Sequence, residues 1–356
     1  IRDRLWESGD EDNFLKSYEG VLDSGQATPE LIFSYVHFLI RAEDFKRGLD
    51  TLDNFRHFLE NDPEFFNLKG KCLFSVKEYS EALDAMQFAT GHANTTAEHR
   101  TEFAKQLIEN DEIDRAIAQL DLVLQQFPED QIALAYMGHC RRANNDVWEK
   151  SLNDYEGMVK EFNLLPLLEA KAGDGFLARL QEYLQNKHTT LVQPLNQTLR
   201  TGTQTRGDLF SDENSLIQIL KSVISDCIQD YMLNNPNRPR NYLGEREVND
   251  FQFSGSWSVK LTKEGFHTTH VHPQGWLSSV FYVHVPTSVE DEENKEGWLH
   301  FGQAKLDRIS PLEKERVVRP AGGKLVLFPS YMWHGTIPFT SNEERLTIAF
   351  DVSANA

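Results

Sequence analysis

Two histidines one residue apart, His270 and His272, are followed far downstream by His334 and, eleven residues later, by Arg345. Imidazole nitrogens ligate first-row divalent metals, and three of them on one side of an ion leave the other side open to a chelating cosubstrate and oxygen. On an extended chain His270 and His272 project to the same side while Val271 turns away. Arg345 lies in the apolar run RLTIAFDV, where it shares a face with Thr347, and Leu346, Ile348 and Phe350 share the other. The polar pair is expected to look inward and the apolar set to meet covering helices. A buried guanidinium needs an anion, and its planar fork suits a carboxylate. Thr347 and Tyr282 are candidate hydroxyl donors to that anion. Taken singly, these residues have ordinary readings: satisfied core histidines, or an arginine paired on the surface with Glu343 or Glu344. Their joint order argues against those readings.

The elements that must position them begin near Phe251. Short apolar runs (FQFSGSWSVKL, WLSSVFYVHV, GWLHFG, KLVLFP, RLTIAFDV) are separated by Gly, Pro and Asn, the texture of an antiparallel barrel or sandwich. His267 has the opposite parity to His270 and reads as a rim residue or substrate contact. His37, His284 and His300 read as ordinary. Trp276, Trp298 and Trp333 read as core before pocket, and the acidic run from Glu290 to Glu296 as a solvated loop or a lid. Gly322-Gly323 lacks the Lys and helix of a phosphate loop.

The first half carries a period. Pro29-Glu30, Pro63-Glu64 and Ala97-Glu98 recur every 34 residues, and a fourth unit starts near Gln131. The eighth places hold Val36, Gly70, Ala104 and Gly138, where helices must approach closely. The seventeenth hold bulky Phe45, Tyr79 and Ile113, with Trp148 one late; the twentieth hold Gly48, Ala82 and Ala116, with Ser151 one late. This pattern resembles the tetratricopeptide repeat, whose helix pairs bury their apolar faces only by stacking on neighbours. Phe14 and Tyr18 fit the second helix of a preceding unit, so the array is expected to span 1–165. Such arrays bind extended peptide or protein, or serve only as spacers or dimerisation modules. From 166 to 245 helical texture continues without the period, through the polar run from Gln197 to Phe210 and an apolar helix near Ser215 to Met232. The run from Asn234 to Asn241 then breaks the helix, and strands are expected only after 245.

A chain of 356 residues exceeds one ordinary core, and 40% hydrophobic with 26% charged residues is globular composition. A net charge of -19 disfavours nucleic acid and anionic lipid as partners. Cys72, Cys140 and Cys227 are scattered, which suggests neither disulfides nor a thiolate zinc site and fits a reducing cytoplasm. No run approaches the roughly 20 apolar residues of a membrane span, and the charged start IRDRLWESGDED is not a secretory signal. A first residue of Ile leads one to expect a preceding portion. Oligomeric state is not legible.

The order of His270, His272, Tyr282, His334 and Arg345 resembles the Fe(II)- and 2-oxoglutarate-dependent dioxygenases, whose motif is His-x-Asp/Glu, a distant His, then an Arg about ten residues on. More narrowly, GTQTRGDLF, GSWSVKL, HVHPQGWLSSVFYV, LVLFPSYMWHGTIPF and RLTIAFDV resemble a bacterial group of 2OG-Fe(II) oxygenases that often carry tetratricopeptide repeats at the amino end. The similarity covers roughly residues 195–356. It implies an α+β chain of two domains: an all-α repeat array over 1–165, a helical lead-in over 166–245, and a double-stranded β-helix (jelly-roll, cupin-like) with covering helices over 246–356. It further implies Fe(II) on His270 and His334, with 2-oxoglutarate on Arg345, and hydroxylation of a C–H bond in a peptide or protein held partly by the repeats. His272 departs from the pattern by replacing a carboxylate. Three neutral imidazoles leave a formal charge of +2 on the site, against +1 with a carboxylate ligand. Three readings of His272 stay open: metal ligand, hydrogen-bond donor beside an open position, or structural residue in a barrel without activity. Two rival functions go with them, a three-histidine dioxygenase that does not use 2-oxoglutarate and a non-catalytic scaffold.

Overall fold

The computed structural model describes residues 16, 18–22, 27–146, 149–188, 199–235, 250–309 and 311–355. The chain forms two compact units, Ile1–Gln126 with Leu306–Ile309, and Phe127–Lys305 with Ser310–Ala356.

In the first unit the helices Pro29–Arg41, Pro63–Ser75 and Ala97–Glu109 have 13 residues each and begin 34 residues apart, as the sequence period requires. Each is opened by a side-chain cap that repeats with the same spacing: Thr28, Asp62 and Thr96 accept backbone N–H bonds from Leu31, Glu64 and His99. Partner helices follow at Phe45–Asn54, Tyr79–Gly91 and Ile113–Gln126. The reversals between partners place Glu43, Lys77 and Asp111 at φ of 59°, 73° and 62°, so the left-handed turn is also part of the repeat. Small residues permit the close approach expected of them. A methyl on Gly48 would lie 2.9 Å from Cys72 Sγ, and one on Gly70 would lie 2.6 Å from Met86 Cγ.

The fourth period starts on schedule with the helix Gln131–Ala143, capped by Asp130, but this helix belongs to the second unit. Trp333 Nε1 donates to Ala135 O (3.1 Å), its ring lies 5.3 Å from that of Tyr136, and Arg142 donates to the Gly302 and Glu313 carbonyls. Among the described residues, the place of the partner helix holds the four-residue helix Glu149–Leu152, and Gly138 makes room for Asn153. The compact unit that holds the first three periods runs to Gln126, and the fourth-period helix lies beyond it. Phe14, Trp148, the side chain of Ser151 and the end of the proline-containing run at 236–241 lie outside the described residues.

Among the described residues the second unit has nine strands: β1 (Lys160–Asn163), β2 (Leu199–Gln204), β3 (Asp250–His267), β4 (Leu277–His284), β5 (Leu299–Phe301), β6 (Arg316–Val318), β7 (Lys324–Pro329), β8 (His334–Thr336) and β9 (Arg345–Asn355). They form a six-stranded sheet in the order β1-β7-β4-β9-β3-β2 and a three-stranded sheet, β6-β5-β8, antiparallel throughout. This is the double-stranded β-helix layout. Strands β1 and β2 precede the expected start of the strands. Each is an edge strand paired on one side only, and four to six residues are too few to set a visible alternation.

One face of the large sheet carries the core. Leu346, Ile348, Phe350 and Val352 of β9, with Leu277 and Phe281 of β4, pack on the helices Leu165–Ala172, Phe176–Gln185 and Ser215–Asn234. Each such side chain contributes about 1.5–3 kcal/mol on full burial. The opposite face lines the cavity, with polar residues of β9 and apolar ones such as Val259 and Phe328. No helix among the described residues is long and apolar enough to cross a membrane.

One polar knot joins three repeats of the array. Glu64 accepts from His37 Nε2, His99 Nε2 and Asn67 Nδ2, each at 2.9 Å. His99 Nδ1 accepts the Thr96 N–H, which fixes the proton on Nε2. Burial pushes the Glu64 carboxyl up, but the bonds from His37, His99 and Asn67 more than offset it and hold the group at about 2. A carboxylate held below its unfolded value of about 4.3 adds stability that is complete above that pH and fades as pH falls toward the folded value. Thermal denaturation followed by helix ellipticity is therefore expected to show stability lost between about pH 4.3 and 2, with Glu64→Gln flattening this dependence and costing on the order of 1–3 kcal/mol at neutral pH. An unchanged pH profile in the variant would show that the knot is not formed.

Candidate metal centre

The segment before β4 is pinned by its backbone. His270 and His334 exchange N–H to carbonyl bonds of 2.9 and 3.1 Å, forming an isolated antiparallel bridge between the two histidines. Two residues on, His272 N donates to Ser330 O (3.0 Å), and Trp276 N donates to Val352 O (2.6 Å). These anchors hold the stretch extended across the mouth of the cavity, so the i, i+2 parity of His270 and His272 is realised in space.

All three rings are oriented by their Nδ1 atoms. His270 Nδ1 donates to Thr268 O (2.7 Å), His334 Nδ1 to Met332 O (2.9 Å) and His272 Nδ1 to Asp351 Oδ2 (2.7 Å). A carbonyl or carboxylate can only accept, so each Nδ1 carries a proton and Nε2 is the ring atom turned to ligate. One ligand atom from each of the three imidazoles can be chosen so that all lie within 4.8 Å of one another, and Nε2 of His270 and His272 are 3.2 Å apart. Two lone pairs facing each other at that distance repel unless a cation lies between them. Burial and the neighbouring imidazoles hold His270 and His334 well below the usual histidine value, so both are neutral donors. Hydrogen bonding through the second ring nitrogen is the usual arrangement of metal-bound histidine.

The rings are also packed. The Trp257 indole stacks on His272 at 11° with centroids 6.1 Å apart, and Phe328 lies 4.6 Å from His334. Gly335 is needed beside His334, because a methyl there would lie 2.8 Å from His300 Nε2 and 3.0 Å from His267 O.

The cavity next to the histidines has a volume of about 380 Å³ and takes lining residues from both sheets, among them Gln204, Trp257, Val259, Leu299 and Thr336. Along β9, Arg345, Thr347, Ala349 and Asp351 line it, while the residues between them enter the core. Arg345 is 2% exposed, yet among the described residues no carboxylate pairs with it and its Nε is buried without a partner. Its guanidinium carbon lies 5.0 Å from the Tyr282 ring centre. Tyr282 is fully buried, and its hydroxyl interacts with the Arg345 guanidinium without a well-formed hydrogen bond. Thr347 lies between Val259 of β3 and Tyr282 of β4.

The remaining sequence candidates separate clearly. His267 lines the cavity, its ring 5.8 Å from that of His270. Trp276 enters the helix-side core, and Trp298 donates to Val289 O. No residue of the acidic run lines the cavity; Glu296 accepts bonds from Thr340 N and Oγ1, which tie the run down. Sequence reasoning passed over Asp351, Trp257 and Gln204. For Asp351 the signal was present, since it shares the parity of Arg345 and Thr347 on one uninterrupted strand.

The turn after His272 depends on Gly275. A methyl there would run into Ser330 Oγ, whose residue anchors the His272 backbone. Gly275→Ala is expected to destabilise the chain by about 1–3 kcal/mol in urea denaturation, as overpacking does. Adding Ser330→Ala should recover part of that loss, and no recovery would place the strain elsewhere.

Residues 255–351 match the family model described as "Putative 2OG-Fe(II) oxygenase". No curated protein matches the chain. Among solved structures, a Pseudomonas putida prolyl-4-hydroxylase is 14% identical, with 63% of this chain and 100% of that one covered at a TM-score of 0.37. A viral collagen prolyl hydroxylase from Paramecium Bursaria Chlorella virus-1 is 10% identical over 55% and 95%, with a TM-score of 0.36. MamA from Desulfovibrio magneticus RS-1 is 17% identical over 44% and 87%, also at 0.36. The matched segment contains the three histidines, Arg345 and Asp351, so the part of the second unit that carries the candidate metal centre is the part that resembles the 2OG-Fe(II) oxygenases.

Proposed function

We propose that His270, His272 and His334 together hold one Fe(II), that Arg345 with Thr347 anchors the distal carboxylate of 2-oxoglutarate, and that the enzyme hydroxylates a C–H bond. The observation that carries this reading is the pairing of two unmet demands in one cavity. Three oriented Nε2 atoms call for a cation, and a buried guanidinium with no counter-ion among the described residues calls for an anion. Bound there, the iron and 2-oxoglutarate would let dioxygen be divided, one oxygen atom going into the substrate C–H bond and the other into succinate, with carbon dioxide released.

The residues of the chain contribute geometry and exclusion of water. The Thr268 and Met332 carbonyls and Asp351 keep the imidazoles in the tautomer that can ligate. Arg345 offers a fixed fork for a carboxylate, and the apolar walls from Val259, Leu299 and Phe328 limit solvent around the reacting groups. Tyr282 acts in this reading by supporting the guanidinium through its ring and by turning its hydroxyl to the bound anion. The substrate is a peptide or protein side chain, held partly by the repeats, whose stacked helix pairs are the kind of surface that takes extended chains.

The test is anaerobic loading with Fe(II) followed by titration of 2-oxoglutarate, watched through the visible metal-to-ligand charge-transfer band. A saturable band is expected, and Arg345→Met should weaken 2-oxoglutarate binding on the order of 10- to 100-fold, the loss of a charge-assisted bidentate contact. No Fe(II) uptake would favour a scaffold. Oxygen consumption indifferent to 2-oxoglutarate and to Arg345→Met would favour a three-histidine dioxygenase of another kind.

A further inference from the structure

We infer that Asp351 is the carboxylate of this metal centre, set one residue back from the ion, and that through His272 it supplies the negative charge which a carboxylate at position 272 would have supplied directly. The inference rests on the reading that the three histidines hold the metal.

Several independent features converge on Asp351. Of the three ring N–H groups, two go to neutral carbonyls and only that of His272 goes to a carboxylate, at 2.7 Å. Its other oxygen accepts from Ser278 Oγ at 2.7 Å, and Ser278 is bonded in turn to Ser330 Oγ at 2.8 Å, so the carboxylate cannot rotate freely. Its neighbour across β3 is Gly255, which leaves the space beside it open. The side chain is only 15% exposed, and among the described residues no Lys or Arg pairs with it. Arg345 is six residues away on the same strand, roughly 20 Å, and cannot neutralise it. A largely enclosed carboxylate with an imidazole as its only ionic partner calls for positive charge on the far side of that imidazole. A cation at Nε2 answers that need.

The chemical consequence concerns charge. A carboxylate that accepts the Nδ1 proton draws it away from the ring and makes Nε2 a stronger donor. Counting Asp351 with the three neutral imidazoles brings the Fe(II) site from a formal +2 to +1, the value of a site with two histidines and a carboxylate ligand. The departure at His272 thereby changes where the negative charge sits and leaves the total unaltered. Asp351 is a positioning residue, since it touches the ligand and not the ion.

The experiment uses the full chain and Co(II) as the probe, read by the visible ligand-field band and by calorimetric affinity. Asp351→Asn, which keeps shape and an acceptor but removes the charge, is expected to weaken Co(II) binding 10- to 100-fold and shift the band. Asp351→Ser should do the same and covers the case in which Asn disturbs folding, while Asp351→Glu should restore part of the affinity. In a His272→Asp chain, where the charge is already at the ligand, adding Asp351→Asn should change affinity by less than about threefold. Equal binding by Asp351→Asn and the parent overturns the role of Asp351. An equal loss in both backgrounds overturns it too, by showing an effect that does not pass through His272. If the parent takes up no Co(II), the metal reading itself falls first.

Discussion

Along β9 every second residue from Arg345 to Asp351 faces the cavity, and the residues between them face the helices. This alternation, fixed by pairing with β3 on one side and β4 on the other, is what the rest of the second unit depends on. The same strand must bury Leu346, Ile348, Phe350 and Val352 and present an arginine, a threonine and an aspartate to the opposite side. A slip of one residue would put the guanidinium into the helix-side core and the leucine into the cavity, so core packing enforces the register of the site. The stability of the fold and the placement of the chemistry come from one set of backbone hydrogen bonds.

The histidines depend on that strand less directly. His270 and His334 meet through their own backbones, and His272 is held from β9 through Asp351. Two neutral carbonyls and one carboxylate therefore tune three chemically identical rings differently. The asymmetry matters because electrostatic effects are strong where solvent is scarce. It also gives the unusual third histidine a physical account that the ligand set alone does not supply.

The repeat array solves another problem, that of keeping helix pairs in step without a central core. Caps at Thr28, Asp62 and Thr96, left-handed turns at Glu43, Lys77 and Asp111, and small residues such as Gly48 and Gly70 all recur on the 34-residue period. Each repeat carries its own start, turn and close-approach signals, so the pattern survives wide sequence variation at other positions. The Glu64 knot adds a polar link between repeats to the apolar stacking.

By itself the sequence determined the 34-residue helical repeats, the antiparallel texture after Phe251, the sidedness of β9 and the i, i+2 relation of His270 to His272. These are properties of local period, which a chain displays whether or not its partners are known. The short edge strands β1 and β2 were not legible, because so few residues cannot establish a period. Nor could the period show that the helix Gln131–Ala143 packs on Trp333. Tertiary structure alone decided that His334 faces His270, that the Arg345 guanidinium lies against Tyr282, and that Asp351 stands 2.7 Å behind His272. Each joins residues far apart in the chain, and such a distance is set only when two sheets close on one another, which no local pattern encodes.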